Sequence, residues 1–194
     1  MQRKIILASQ SRQRFNLVKT LPLEIEVLPA DIDEQAIPFS NASDKAARIS
    51  QAKAEKIALD FPEAIVLAAD TFALCEGKIL EKPKTLNEAR DMLRFLSGKT
   101  LTVMTGFAFI DAKNNKDRIG TEEVEVDFRE LSETEIETYV NNEPVLTWSA
   151  AFSPAYDSGM ALIKNVRGNF TAFSHGLPID QLIDFLRSVE VLAK

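Results

Sequence analysis

"ILASQSRQRF", residues 6–15, changes character half-way along. The apolar run Lys4–Ala8 around it reads as a buried strand. Ser11 then stands as the N-cap of a helix over about 12–20. A buried strand that passes directly into a helix is the opening of an α/β chain. The junction also carries Ser9, Ser11, Arg12 and Arg14. A helix N-terminus offers free N–H groups and partial positive charge, and arginine adds a bidentate fork for phosphate oxygens. Two readings are open here: a phosphate site, or a capped surface helix with solvated arginines. The stretch holds no glycine, so it is not a P-loop.

The rest of the chain alternates in the same way. Leu23–Leu28 alternates apolar and acidic residues and predicts a strand with one wet face. An acidic loop with prolines covers 30–42, and a helix spans Ser43–Asp60. Ala64–Ala69 is a second fully apolar strand, ending at Asp70. Phe72–Leu80 reads as a hairpin about Glu76-Gly77. Thr85-x-x-Glu88 is a capping box for a helix that Gly98 closes. Thr100–Ala112 and Arg118–Phe128 are β-rich runs around a polar turn at 113–116. Ser132-x-x-Glu135 is a second capping box, for a helix to about 142. Met160–Val166 and Asn169–Phe173 predict another strand pair, and Pro178 suits the first turn of a last helix to about Val189. The pattern predicts an α/β fold with a mixed sheet flanked by helices, without repeats or linkers, as one domain over 1–194.

Composition removes several function classes. The chain has 194 residues, 45% of them apolar, and a net charge of −6. That balance gives no general pull toward nucleic acid or an anionic membrane, so neither is an expected partner. No apolar run approaches a membrane span, and the N-terminus is too brief for a signal peptide, which predicts a cytoplasmic protein. One cysteine, Cys75, and one histidine, His175, argue against a disulfide, a soft-ligand zinc site and a Ser-His-Asp triad. Any metal would be a hard cation held by carboxylates.

Four further places could carry chemistry. Asp70-Thr71 follows six apolar residues, and in open α/β sheets ligands collect at the carboxyl ends of strands. An Asp there can hold Mg²⁺ or act as a base on water; a turn-forming Asp is the equal alternative. Lys53 falls on the apolar face of its helix, between Ile49 and Ala46. It either snorkels to water or reaches into a cleft to meet an anion or carboxylate. Lys82-Pro83 is a lysine aimed by a stiff neighbour. Asp31-Ile32-Asp33-Glu34 resembles the Asp-x-Asp of haloacid-dehalogenase phosphatases, but Gln35 stands where those need Thr or Val. The cluster is then a metal ligand set or an acidic loop.

Taken together, these pieces resemble the Maf family of nucleoside triphosphate pyrophosphatases over almost the whole chain, in the family's order. The family's Ser-x-Ser-Pro-Arg-Arg appears as Ser9, Gln10, Ser11, Arg12, Gln13, Arg14. Its DE matches Asp33-Glu34, its KA Lys53-Ala54, its ADT Ala69-Asp70-Thr71 and its GKP Glu81-Lys82-Pro83. LSGK at 96–99, TG at 105–106, VDFRELSETEIETYV at 126–140 and GLP at 176–178 follow. The resemblance implies an elongated mixed sheet with two lobes and an active-site cleft, like inosine triphosphate pyrophosphatases. It implies hydrolysis of a nucleoside triphosphate between the α- and β-phosphates, a divalent cation (Mg²⁺ or Mn²⁺) and a homodimer. Asp70 falls on the family's catalytic base or metal carboxylate, with Glu34 as metal partner. Ser9, Arg14, Lys53 and Lys82 fall on its phosphate-binding groups; Ser11, Arg12 and Thr71 lie beside them, and Lys82 is counted with Asp70 and Glu34 as catalytic.

The sequence also departs from the family. Gln13 replaces an arginine, and Arg12, two helix positions before Arg14, points about 200° away from it. Glu81 replaces a glycine. After Glu143-Pro144 many members carry Asp-Lys-Ala-Gly-Ala-Tyr and then Ile-Gln-Gly; here Ala150-Ala151-Phe152 stands where Gly-Ala-Tyr is usual. Thr71 favours the branch acting on dTTP and UTP, and the altered segment favours the branch acting on 7-methyl-GTP, so the base stays open. Trp148 either stacks on that base or, as a single Trp more often does, fills the core. The alternative to an active enzyme is a catalytically weak nucleotide-binding protein of the same fold, with a regulatory role in cell division.

Overall fold

The computed structural model describes residues 3–193. Among the described residues, seven strands form one sheet: β1 (Ile5–Leu7), β2 (Ile25–Val27), β3 (Ile65–Cys75), β4 (Lys78–Leu80), β5 (Thr100–Asp111), β6 (Lys116–Phe128) and β7 (Ile163–Arg167). The order is β2-β1-β3-β5-β6-β7, with β4 paired to β3. Seven α-helices among the same residues accompany it: α1 (Arg12–Val18), α2 (Ala42–Asp60), α3 (Leu86–Leu96), α4 (Glu133–Asn142), α5 (Asp157–Met160), α6 (Phe170–His175) and α7 (Ile179–Ser188). The mixed α/β architecture is the expected one. No helix among the described residues is long and apolar enough to cross a membrane. The chain divides into two compact units, whose boundaries fall inside β3, β5, β6 and α6.

Unit 1 comprises residues 1–71, 105–122 and 175–194. Its strands β1, β2 and β3 run parallel, with Leu7 opposite both Val27 and Leu67. Parallel strands covered on both faces read as continuous apolar runs, as IIL and IVLAA do. Alternation then sorts the side chains between two cores. Ile5, Leu7, Ile65, Leu67, Ala69, Phe107 and Phe109 pack with Val18 of α1 and Leu182, Phe185 and Leu186 of α7. Ile6, Ala8, Val66, Ala68 and Ala108 pack with Ala54, Ile57 and Ala58 of α2. Each fully buried large aliphatic contributes about 1.5–3 kcal/mol. β1 therefore has a parallel neighbour on each side, reached through helices on opposite faces, which is the topological switch point where such sheets leave a crevice at their carboxyl ends.

Gly106 sets the approach of α2. A Cβ built there would lie 2.0 Å from the carbonyl oxygen of Ala46, a backbone atom of α2. Gly106→Ala must push α2 off β5. We expect a loss of about 1–3 kcal/mol, read from the urea midpoint. An unchanged midpoint would show that the helix moves freely.

Unit 2 comprises residues 72–104 and 123–174, with a single core that includes Leu93, Leu96, Val126, Ile136, Phe152 and Phe173. The β3–β4 hairpin turns on Glu76 and Gly77, both with positive φ, as a two-residue turn requires. α4 has the full reciprocal capping box between Ser132 and Glu135. The Ser132 amide, then Arg129 and the Ser132 hydroxyl, hold the Glu135 carboxyl down to about 2. A depressed carboxyl stabilises fully above its ordinary value of 4.5, and this is lost as pH falls through about 2. Glu135→Gln should therefore be less stable than wild type near neutrality, with the gap closing between pH 4.5 and 2. Urea midpoints across that range test it; a gap that does not narrow would exclude this linkage.

Several sequence expectations are corrected. β3 does not end at Asp70 but continues to Cys75, because Ala73–Cys75 are held by β4. Residues 169–173 are not a strand. The Asn169 Oδ1 accepts the amides of Thr171 and Ala172, starting α6, while β7 pairs with β6 instead. The Thr85 box is half formed: Thr85 caps Glu88, but Glu88 reaches back to the amide of Lys84. Pro178 is the N-cap of α7 rather than part of its first turn. α1 stops at Val18 and β2 spans only Ile25–Val27. α2 begins at Ala42 on an Asn41 cap, and β6 begins at Lys116 after a turn through left-handed Asn115.

Candidate functional site

The carboxyl end of β1 and the middle of β3, just past its pairing with β1, gather most of the expected residues, and the pleat divides them between the two faces. Asp70 follows Ala68 on the α2 face, and Thr71 follows Ala69 on the α1/α7 face. One step along a strand thus supplies two half-sites, both within unit 1.

On the α2 face, Lys53 does not snorkel to water. Its side chain is 14% exposed, and Nζ donates to Asp70 Oδ1 at 2.9 Å and lies 2.7 Å from Glu34 Oε1. Glu34 comes from a single 3-10 turn, Glu34–Ala36, whose N-cap Asp33 accepts the amide of Gln35. Asp33 is therefore spent on the turn that presents Glu34. Asp70 is 18% exposed and Glu34 48%, so both carboxylates keep access to solvent. The apolar-face position of Lys53 is explained by this convergence of two carboxylates on one ammonium.

On the other face, Arg14 is held by three acceptors. Nε donates to the carbonyl of Gly176 at 2.9 Å, Nη1 to Ser9 Oγ at 3.0 Å and Nη2 to Thr71 Oγ1 at 3.0 Å. Ser9 Oγ also accepts the Ser11 amide at 3.1 Å, and Ser11 caps α1 by accepting the Arg14 amide. Arg14 uses three of its five N–H donors in this way. The other two have no hydrogen-bond partner among the described residues. Burial lowers the proton affinity of the guanidinium, while Asp70 and then Glu34 raise it; arginine stays charged at neutral pH regardless. Gly176 has φ +66, and a Cβ there would lie 2.8 Å from Thr71 Oγ1. A side chain there would be strained by the backbone and would crowd Thr71 and Arg14.

Arg12 and Lys82 stand differently. Arg12 is exposed and makes no hydrogen bond or ion pair among the described residues, so Arg14 is the arginine turned inward. Lys82 belongs to unit 2, exposed beside the buried Pro83. In the same unit, Ala150 donates its amide to the carbonyl of Glu81. Ala150 and Ala151 both have left-handed backbones, at φ 58 and 54, where the family's glycine would be unstrained at the first. Trp148 is 9% exposed and lies 4.9 Å, ring to ring, from Tyr156, which is the core reading of that residue. Sequence reasoning assigned no role to Thr105 or the Gly176 carbonyl. The signals available were the Thr-Gly pair at 105–106 and the Gly-Leu-Pro at 176–178, quoted as family motifs without a role for either residue.

The arrangement can grip a polyanion with Arg14 and Lys53 while presenting two carboxylates. A family model for Maf-like protein matches residues 4–189. A dTTP/UTP pyrophosphatase of Syntrophus aciditrophicus is 36% identical over 186 residues, covering 96% of this chain and 90% of its own. A 7-methyl-GTP pyrophosphatase of Pseudomonas aeruginosa is 34% identical over 182 residues, covering 94% of each. Among solved structures, the Staphylococcus aureus Ham1 protein is similar with a TM-score of 0.53, covering 96% of this chain and all of its own, at 14% identity, a likeness of fold alone. The chain, matched from its first strand to its last helix, belongs to the Maf family.

Proposed function

We propose that the protein is a nucleoside triphosphate pyrophosphatase, cleaving the α–β phosphoanhydride to the monophosphate and pyrophosphate. The observation that carries this reading is Lys53 Nζ held between Asp70 and Glu34 at the switch point, with Arg14 fixed one residue along β3. The curated relatives, named for pyrophosphatase action on dTTP/UTP or 7-methyl-GTP, support the same class.

A triphosphate brings about four negative charges, and its cleavage needs charge stabilisation and in-line positioning more than covalent chemistry. Arg14 binds phosphate oxygens through its two remaining N–H donors. Lys53 lowers the repulsion between the carboxylates and the incoming phosphates. Asp70 Oδ2 accepts no hydrogen bond among the described residues and can take the proton of an attacking water.

The donor set also fits a hard divalent cation. Asp70 and Glu34 are oxygen ligands already drawn to one point of positive charge. Among the described residues no cluster of three or more His, Cys, Asp or Glu could chelate a metal. Mg²⁺ or Mn²⁺ would thus be held by these two carboxylates with oxygens of substrate and water, as Mg²⁺ commonly is. When bound, it polarises phosphoryl oxygens and acidifies water.

Pyrophosphate release from dTTP, UTP, 7-methyl-GTP and other canonical and modified triphosphates, with each metal, tests the proposal and identifies the base. Binding of nucleotides with no release from any of them would overturn it, leaving a nucleotide-binding protein suited to a regulatory role in cell division.

A further inference from the structure

We propose that Thr105 is a positioning residue for the phosphate grip, acting through Thr71 on Arg14. The proposal rests on the anion-binding role of Arg14 given above. Thr105 lies on β5 and is fully buried. It is an odd-numbered neighbour of Phe107 and Phe109, so it shares the α1/α7 face with Thr71. The two hydroxyls are 3.2 Å apart.

Either hydroxyl can be the donor across that gap. Thr71 Oγ1 already accepts an N–H from Arg14 Nη2. Its own single hydrogen is free to point elsewhere, and Thr105 Oγ1 is an acceptor within reach. In either direction the bond holds the Thr71 oxygen in place for Arg14, and with Thr71 as donor it also makes that oxygen a better acceptor. The chain Thr105–Thr71–Arg14–Gly176 then joins β5, β3, α1 and the turn before α7. Arg14 is fixed from three directions, and its two remaining N–H groups keep one aim. Without the Thr105 hydroxyl, the Thr71 side chain loses its anchor on β5 and its hold on Nη2 loosens.

The test reads binding of inorganic tripolyphosphate, without divalent metal, by calorimetry on the full chain, beside pyrophosphate release with metal. Thr105→Val keeps the shape and removes the hydroxyl; Thr105→Ala is the second removal should valine not fold, as judged by thermal unfolding. We expect dissociation constants to rise about tenfold, the size of one buried unmade hydrogen bond. Thr105→Ser should stay within about threefold of wild type. Thr71→Val should weaken binding by itself, and the double variant Thr71→Val/Thr105→Val should be no weaker than Thr71→Val, because Thr105 then has nothing to act through.

Unchanged binding in the hydroxyl-less variants, a serine variant as weak as valine, or additive losses in the double variant would each overturn the proposal. A wild-type chain that does not bind tripolyphosphate would overturn it too. A wild-type chain that binds it but releases no pyrophosphate from any nucleotide overturns the enzymatic reading instead, and the binding comparison still decides the role of Thr105.

Discussion

Asp70→Asn is expected to fold like the wild type and lose nearly all turnover. The change is isosteric, at a strand position whose neighbours Ala68 and Ala69 stay buried. The asparagine carbonyl can still accept the Lys53 hydrogen that Asp70 Oδ1 now receives. What disappears is the negative charge and the capacity to take a proton. A positioned base contributes roughly 10²–10⁴ in rate, and the same substitution weakens any cation held with Glu34, so the loss should sit at the upper end of that range. Pyrophosphate release with saturating metal measures the loss, and the urea midpoint shows that the fold is kept. Turnover near the wild-type level would remove Asp70 from the chemistry and leave it as a structural partner of Lys53.

Lys53→Met comes second, with an expected fall of about 10²–10³ in turnover, the scale seen when one preorganised electrostatic group is removed. Methionine suits the position for stability. It lies on the apolar side of α2, and the flexible thioether fills irregular space. Glu34 and Asp70 keep enough exposure to be hydrated once the ammonium is gone. Unfolding should therefore change little while turnover collapses. The reason is charge: two carboxylates left without their shared cation repel the phosphates that Lys53 would receive. A drop in stability that accounts for the whole loss of activity would make Lys53 a structural ion-pair partner only.

Much of this was legible locally. The apolar runs at 5–8 and 65–69 needed only period and composition, since parallel strands with both faces covered cannot place polar residues there. Ser11, Ser132 and the Glu76-Gly77 turn were readable because caps and tight turns are settled within four residues. Lys53 announced itself by being on the wrong face. Where the reading failed, either a cap was hidden in strand-like composition or a partner from elsewhere in the chain had decided. Asn169–Phe173 has strand composition, yet Asn169 caps a helix there while β6 takes β7 as its partner. Asp70 reads as a strand end, yet β4 extends the strand beyond it.

The sequence by itself determined an α/β chain, the caps that start α1, α3 and α4, and a set of cations and carboxylates fit for a phosphate-cleaving site. Tertiary structure decided how that set is divided. The parity of β3 sends Asp70 to Lys53 and Glu34 on one face and Thr71 to Arg14 on the other. Thr105 and the Gly176 carbonyl join the second group only because β5 and the turn before α7 come to rest beside it. Period and capping are short-range properties of the chain, whereas a hydrogen bond between residues far apart in sequence exists only after the sheet has set its order and register.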